Sequence, residues 1–227
     1  MSTIAFGNLT GAAKKSNVKY MKLAEGNNTF RILPNSILPG YTYWVKGANG
    51  KDLPFNCLQY VSKDEAFDNS IPCPIKDRGL KDDKGEDLRC QWSYKCQVIN
   101  RATGEVEVLQ LKKGMLSDII SVAQQLGFDP TDLETGTDFT VNKKKTGPLA
   151  FNVEYSLQQL LCKQTPISEA DAKLIEGIKP ISELFPTETY EAQAARLAKH
   201  LTGATDATDE AEDQSDAAKE AVNELNS

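Results

Sequence analysis

Residues 89–111 read RCQWSYKCQVINRATGEVEVLQL. Cys90, Trp92, Tyr94 and Cys96 alternate strictly with Arg89, Gln91, Ser93, Lys95 and Gln97. That period of two places successive side chains on opposite faces of an extended strand. Arg101-Ala-Thr-Gly104 carries turn chemistry, and Val106, Val108 and Leu109 supply the apolar side of a returning strand. The stretch predicts a hairpin of Arg89–Asn100 and Glu105–Leu111.

Toward the N-terminus, Thr29–Pro34 reads as a short strand with Phe30 and Ile32 on one face and Arg31 on the other. Tyr41–Lys46 is aromatic and β-branched, preceded by Gly40 and closed by Gly47-Ala-Asn-Gly50, and reads as a second strand. From 55 to 88 the pattern dissolves around Pro72, Pro74, Gly79, Gly85 and the charged run Lys81–Asp87, which predicts a long irregular insertion. Toward the C-terminus, Met115, Leu116, Ile119, Ile120, Ala123 and Leu126 recur at helical spacing and Gly127 stops the helix. Asp138–Asn142 and Leu149–Ser156 read as a second hairpin around Lys143-Lys-Lys-Thr-Gly147. Ser168-Glu-Ala-Asp171 opens a short helix with a capping box, and a last helix runs from about Thr187 to Leu201.

The order is strand, strand, insertion, strand, strand, helix, strand, strand. The expected class is mainly β with α: an OB-fold, a small antiparallel Greek-key barrel with one helix before its closing hairpin. The expected division is a basic arm over 1–24, a barrel core over 25–160 with its insertion at 55–88, helices packed on the core over 161–202, and a tail over 203–227.

Charge separates the ends from the body. Gly203–Ser227 holds eight Asp or Glu against one Lys, with no aromatic residue and only Val222 and Leu225 as large aliphatics. Such a segment buries too little apolar surface to offset ordering entropy and reads as a disordered acidic tail. Residues 1–24 carry Lys14, Lys15, Lys19 and Lys22 and no acid. The whole chain of 227 residues is −6 and the body between the ends is −3, so any anion site must come from local clustering rather than bulk charge. No apolar run reaches the length of a membrane span and no leader pattern opens the chain, so the expected compartment is cytoplasmic. Five cysteines in a reducing compartment argue against a disulfide framework.

Chemistry concentrates where aromatics and positive charge interleave. Tyr41 and Tyr43 share one face of their strand, Trp44 and Lys46 the other, and Trp92 and Tyr94 alternate with Arg89 and Lys95. Stacking rings beside Lys and Arg are what single-stranded nucleic acid requires, since it offers exposed base faces and a phosphate chain. One face of a barrel strand points inside, so some of these rings are structural; Tyr, with a polar tip, suits a wet surface best. Lys112-Lys113 before the helix and Lys143-Lys144-Lys145 at the expected hairpin tip are candidate phosphate contacts, or solvated charge. The single histidine, His200, sits in the last helix, and no phosphate-cradling Gly-Lys-Ser/Thr loop is present, so the pattern is not that of an enzyme.

Leu109–Leu116 followed by the apolar-periodic helix, Asp129-Pro-Thr-Asp132, Gly136–Val141, the basic turn ending at Gly147, Ser93–Ile99, Ile167–Asp171 and Glu183-Leu-Phe-Pro186 form a series. Over about residues 20–190 it resembles the helix-destabilising single-stranded DNA-binding proteins of T-even-like tailed phages. The resemblance implies an OB-fold that coats single-stranded DNA without sequence preference during replication, recombination and repair in the cytoplasm of an infected bacterial host. It implies that Tyr41, Tyr43, Arg89, Tyr94 and Lys95 belong to a DNA groove. It also implies that Lys14, Lys15 and Ser16 form an arm for self-association along DNA. The tail would recruit replication and recombination proteins and limit duplex binding. Better-known members hold a structural zinc through three Cys and one His with a tight Cys pair, and this chain departs from that. Cys90 and Cys96 on one extended strand would lie about 20 Å apart, too far for one metal. Cys57, Cys73 and Cys90 remain as candidate ligands with no fourth assigned; otherwise they are buried free thiols. The alternative function is a protein-interaction scaffold with an acidic tail and no nucleic-acid binding.

Overall fold

The computed structural model describes residues 18–149, 152–162 and 164–203; Lys14, Lys15, Ser16 and the expected tail beyond Gly203 lie outside them. The chain is mainly β with a few helices, and its strand pairs are antiparallel. Strands β1 (Gly26–Leu38), β2 (Tyr41–Lys46), β3 (Asp52–Asn56), β4 (Tyr60–Val61) and β5 (Ala66–Phe67) come first, then the short helix α1 (Pro74–Asp77). Next come β6 (Gln91–Trp92), β7 (Lys95–Asn100) and β8 (Glu105–Gln110), helix α2 (Lys113–Leu126), and the hairpin β9 (Asp138–Lys145) and β10 (Val153–Leu157). Helices α3 (Glu169–Glu176), α4 (Ile181–Leu184) and α5 (Tyr190–Thr202) follow. One sheet is ordered β10-β9-β1-β7-β8, a second β3-β2-β6, and β4 and β5 form a small ribbon.

β1 is the centre of the larger sheet and runs well past the expected end at Pro34. It bends rather than stops: Asn35 takes φ +51, and the pairing register with β7 slips between Ile32 and Ile37. Asn tolerates this left-handed conformation better than most residues. The Ser36 hydroxyl donates to Leu33 O at 2.6 Å and stitches the bend. Phe30, Ile32, Val98, Leu109, Phe139 and Val141 are buried beneath the sheet, together with Met115, Leu116, Ile119 and Val122 of α2. Full burial of each large side chain contributes about 1.5–3 kcal/mol, so this seam is the main stabilising layer. α2 leaves one edge strand, β8, and packs on the other, β10, spanning the open side of the sheet. Gly127 ends it in the left-handed conformation at φ +72, its N–H bonded to Ala123 O.

Two strand expectations are corrected. Arg89–Asn100 is not one strand. β6 pairs with β2 through Tyr41↔Trp92, whereas β7 pairs with β1 through Leu38↔Lys95. Between them the chain passes from one sheet to the other, with Ser93 N–H bonded to Gly40 O. Lys143, Lys144 and Lys145 are not a turn. They are the end of β9, paired with Tyr155, Glu154 and Val153 of β10, and alternation separates Lys144 from its two neighbours. The insertion is more ordered than its composition suggests, because β3, the β4–β5 ribbon and α1 all fall in or beside it.

The C-terminal helices are tied to both sheets. Ser168 caps α3 with the expected capping box to Asp171, and Arg101 binds Asp171 at 2.8 Å while forking onto Asp138 of β9 at 2.8 and 2.9 Å. α5 lies on the smaller sheet. The Gln193 amide donates to Asn56 O, the Arg196 guanidinium donates to Pro54 O and sits 3.9 Å over the Phe55 ring, and Leu197 is fully buried.

Candidate nucleic-acid interface

Five rings from two strand pairs, β2–β6 and β4–β5, and from the segment between β6 and β7 meet at one place. Tyr41 of β2 is the hub, with ring centroids 4.8 Å from Tyr60, 4.9 Å from Phe67, 6.0 Å from Trp92 and 6.3 Å from Tyr94. The local cause is register: Tyr41 lies opposite Trp92, and Tyr60 opposite Phe67. Trp92 and Tyr94 stack face to face, 3.6 Å apart and 12° from parallel. The indole N–H donates to Leu111 O at 2.8 Å, which fixes the ring's rotation. The cluster is graded in depth. Tyr94 and Tyr60 are buried at its base with their hydroxyls hydrogen-bonded together, Tyr41 and Trp92 are half-buried, and Phe67 is 46% exposed. Burial, then the hydrogen bond with Tyr60, pushes the Tyr94 phenol well above its usual range, so it stays protonated.

The surface continues from this cluster to a second ring. Leu111 receives the Trp92 bond and its own N–H donates to Tyr94 O, which places Lys112 one residue beyond the rings. The Lys112 ammonium lies 5.4 Å, and that of Lys143 5.8 Å, from the centroid of Tyr155 on β10. Lys113, Lys144 and Lys145 are exposed nearby in sequence. The arrangement is a chain of rings ending in a lysine-flanked tyrosine, capable of holding flat apolar groups at one end and anions at the other.

Other expected site residues sit elsewhere. Tyr43 is 1% exposed, its hydroxyl 3.7 Å from the Cys57 thiol, so its ring is closed to a ligand. It shares a face with Tyr41, as alternation requires, but the core covers the inner of the two. Lys95 points away from the rings: its ammonium lies 4.6 Å over Phe185, which also packs on Tyr20, and burial lowers its pKa. Trp44 is half-buried on the opposite face of β2, beside Pro54. Lys46 pairs with Asp83 at 3.0 Å, and Arg89, largely exposed, lies 3.5 Å from Glu86. Phe67 escaped the sequence reading because its strand is two residues long; the aromatic pair Tyr60 and Phe67 flanking a polar turn was the available signal.

The candidate metal ligands meet only in part. Cys57 and Cys90 are close enough to couple, and the interaction with Cys90 lowers the Cys57 thiol from its ordinary value while Cys57 raises that of Cys90. Cys73 is buried at the start of α1. Among the described residues no three His, Cys, Asp or Glu side chains are grouped to hold a metal ion. His200 Nε2 is engaged with Val45 O at 2.8 Å. The described residues do not form the four-ligand tetrahedral set a structural zinc requires.

No family model matches the chain. The chain is similar to a probable ssDNA-binding protein of Escherichia phage T5, with 25% identity over 232 aligned residues that cover 88% of this chain and 87% of that protein.

Proposed function

We infer that this chain is a phage single-stranded DNA-binding protein, a binder rather than an enzyme. It holds unpaired bases on the Phe67, Tyr41 and Trp92 surface and the phosphate chain on Lys112, Lys143 and their neighbours. The observation that carries the reading is the five-ring cluster, open to solvent at Phe67 and continuous with a lysine-flanked tyrosine. Each base stacked on an aromatic contributes about 1–3 kcal/mol without regard to sequence. The similarity to the phage T5 protein along nearly the whole chain supports the same reading. So does the strand order β10-β9-β1-β7-β8 with a helix between β8 and β9, which fits an OB barrel, with β2 to β6 as the elaborated loop between its first two barrel strands. In this reading the protein coats DNA in the infected host cell during replication, recombination and repair. Lys14, Lys15 and Ser16 serve contacts between neighbouring copies, and the acidic C-terminal stretch engages replication proteins.

The test is fluorescence anisotropy with labelled oligo-dT, oligo-U and duplex of equal length across a salt series. Oligo-dT should bind best, with log affinity falling at a slope of about −0.7 per phosphate neutralised. Phe67→Ala should weaken binding by about 1–3 kcal/mol with an unchanged melting temperature. Failure of any oligo-dT complex to form at low salt would leave the scaffold alternative.

A further inference from the structure

Tyr155 stands apart from the five-ring cluster, on the edge strand β10, and two cations share its ring. It lies directly opposite Lys143 of β9, so both side chains leave the same face of the sheet. Along the hairpin that face passes from core to solvent. Val141 is buried opposite the partly buried Leu157, Tyr155 is half-buried, and Lys145 opposite Val153 is exposed. The Tyr155 ring is therefore rooted on the core where this face meets water. Lys112 comes from a different element, as the N-cap of α2, which packs on β10. Its neighbour Leu111 accepts the Trp92 indole N–H and donates to Tyr94 O. Lys112 thus stands between the five-ring cluster and Tyr155.

Two ammonium groups on one ring hold it weakly. At 5.4 and 5.8 Å from the centroid both are near the outer limit of cation–π attraction, about 6 Å, and they repel each other. Near solvent such a contact is worth a factor of about two to five, whereas a base stacked on an aromatic is worth about five to 150. Phosphate, in turn, offers each displaced lysine a full opposite charge. We propose that Tyr155 is a second stacking position for a base, separated from the five-ring cluster by Lys112. Lys112 and Lys143 cover the ring in the free protein and move to the phosphates on either side when a base takes their place. The proposal rests on the single-strand reading above and adds a base where that reading has only phosphate. Lysine suits the exchange because its charge rides on a flexible four-carbon stem, while the ring stays fixed on its strand.

The experiment uses the full chain and oligo-dT of the shortest length that binds at full affinity, so that a gap cannot be avoided by sliding. A single abasic position is moved along it. Tyr155→Leu should weaken binding of intact oligo-dT about five- to 150-fold with an unchanged salt slope, and Tyr155→Phe should stay within about twofold of the unmodified protein. At one abasic position the Tyr155→Leu penalty should vanish, because ring and base are then lost together. Lys112→Gln and Lys143→Gln should each lower the salt slope by about 0.7. Melting curves check that the variants fold. Independently of any variant, iododeoxyuridine placed at that same position should photo-cross-link to Tyr155 in the unmodified protein. A Tyr155→Leu variant that binds as tightly as the unmodified protein, a penalty equal at every abasic position, or adducts that never fall on Tyr155 overturn the proposal and leave the single-strand reading standing. A salt slope unchanged in both lysine variants overturns the exchange together with the assignment of phosphate to Lys112 and Lys143. Absence of binding to every oligonucleotide overturns both the proposal and the single-strand reading.

Discussion

Arg31 is wholly buried, yet it carries charge into the larger sheet. Its Nη2 donates to Asp132 O at 2.7 Å and its Nη1 to Thr165 O at 2.9 Å, with Asp138 at 3.4 Å. The guanidinium therefore joins β1 to the segment before β9 and to the chain that follows β10. Removing one partner of a buried charged cluster leaves the others unpaired, so Arg31→Met should cost about 3–5 kcal/mol in urea unfolding. Gly136 tests the same cage by crowding. A Cβ there would lie 2.2 Å from Asp132 O and 2.4 Å from Arg31 Nη2, so Gly136→Ala should lower the unfolding midpoint although the site is remote from the rings. Arg31 illustrates what alternation conveys and what it omits. The sequence correctly puts it on the face opposite Phe30 and Ile32, but whether that face meets water depends on a segment more than a hundred residues away. Tyr43 has the same difficulty in reverse: it shares a face with Tyr41, and only tertiary packing decides which of the two is sealed.

At the scale of elements, α3 is held by its cap. Ser168→Ala should cost about 1 kcal/mol, the usual worth of an N-cap side chain. Its capping partner Asp171 is half of a linkage to pH. Burial raises its pKa, but the bonds from Arg101 and Ser168 outweigh that and hold it below its ordinary 3.8. A carboxylate whose folded pKa is depressed contributes stability at higher pH, and the contribution is lost as pH falls through the folded value. Unfolding midpoints should therefore drop below about pH 4, and Asp171→Asn should flatten that acid limb. The capping box and the terminal glycine of α2 were legible because they are local: each needs only a few consecutive residues. The break between β6 and β7 was not, because Cys90 to Cys96 keep an alternating pattern while the partner strand changes from β2 to β1. The lysines of β9 misled for a related reason. Three charges in a row have the look of a turn, and only pairing with β10, joined at Lys143 by Gly26 of β1, keeps them extended.

For the whole molecule, α5 decides where the chain leaves the described structure. His200 O accepts from Ala48 N–H, Gly47 sits so close to the His200 ring that a Cβ would fall 2.3 Å from Cε1, and Gly203 approaches Ala48. The described chain therefore ends at Gly203 beside the β2–β3 turn, on the sheet that carries Tyr41, and the sequence beyond it holds eight Asp or Glu. If they compete with DNA, deleting 204–227 should tighten oligo-dT binding at low salt, and the gain should shrink as salt rises. Equal affinities with and without that stretch would remove the competition. The order of strands and helices could largely be read from periodicity, while the meeting of five rings could not, since it joins positions 41, 60, 67 and 92 through two separate strand pairings and takes Tyr94 from the crossing between the sheets. At the opposite end of the chain, Lys19 O accepts from Val108 N–H, Met21 N–H donates to Val108 O, and Lys19 binds Glu105 and Glu107. These few residues close the outer rim of β8. Trimming the protein up to Val18 should keep those bonds and leave the trimmed species monodisperse, whereas a cut past Met21 frees the N–H and C=O of Val108 on an edge strand, the kind of exposed pair that templates aggregation.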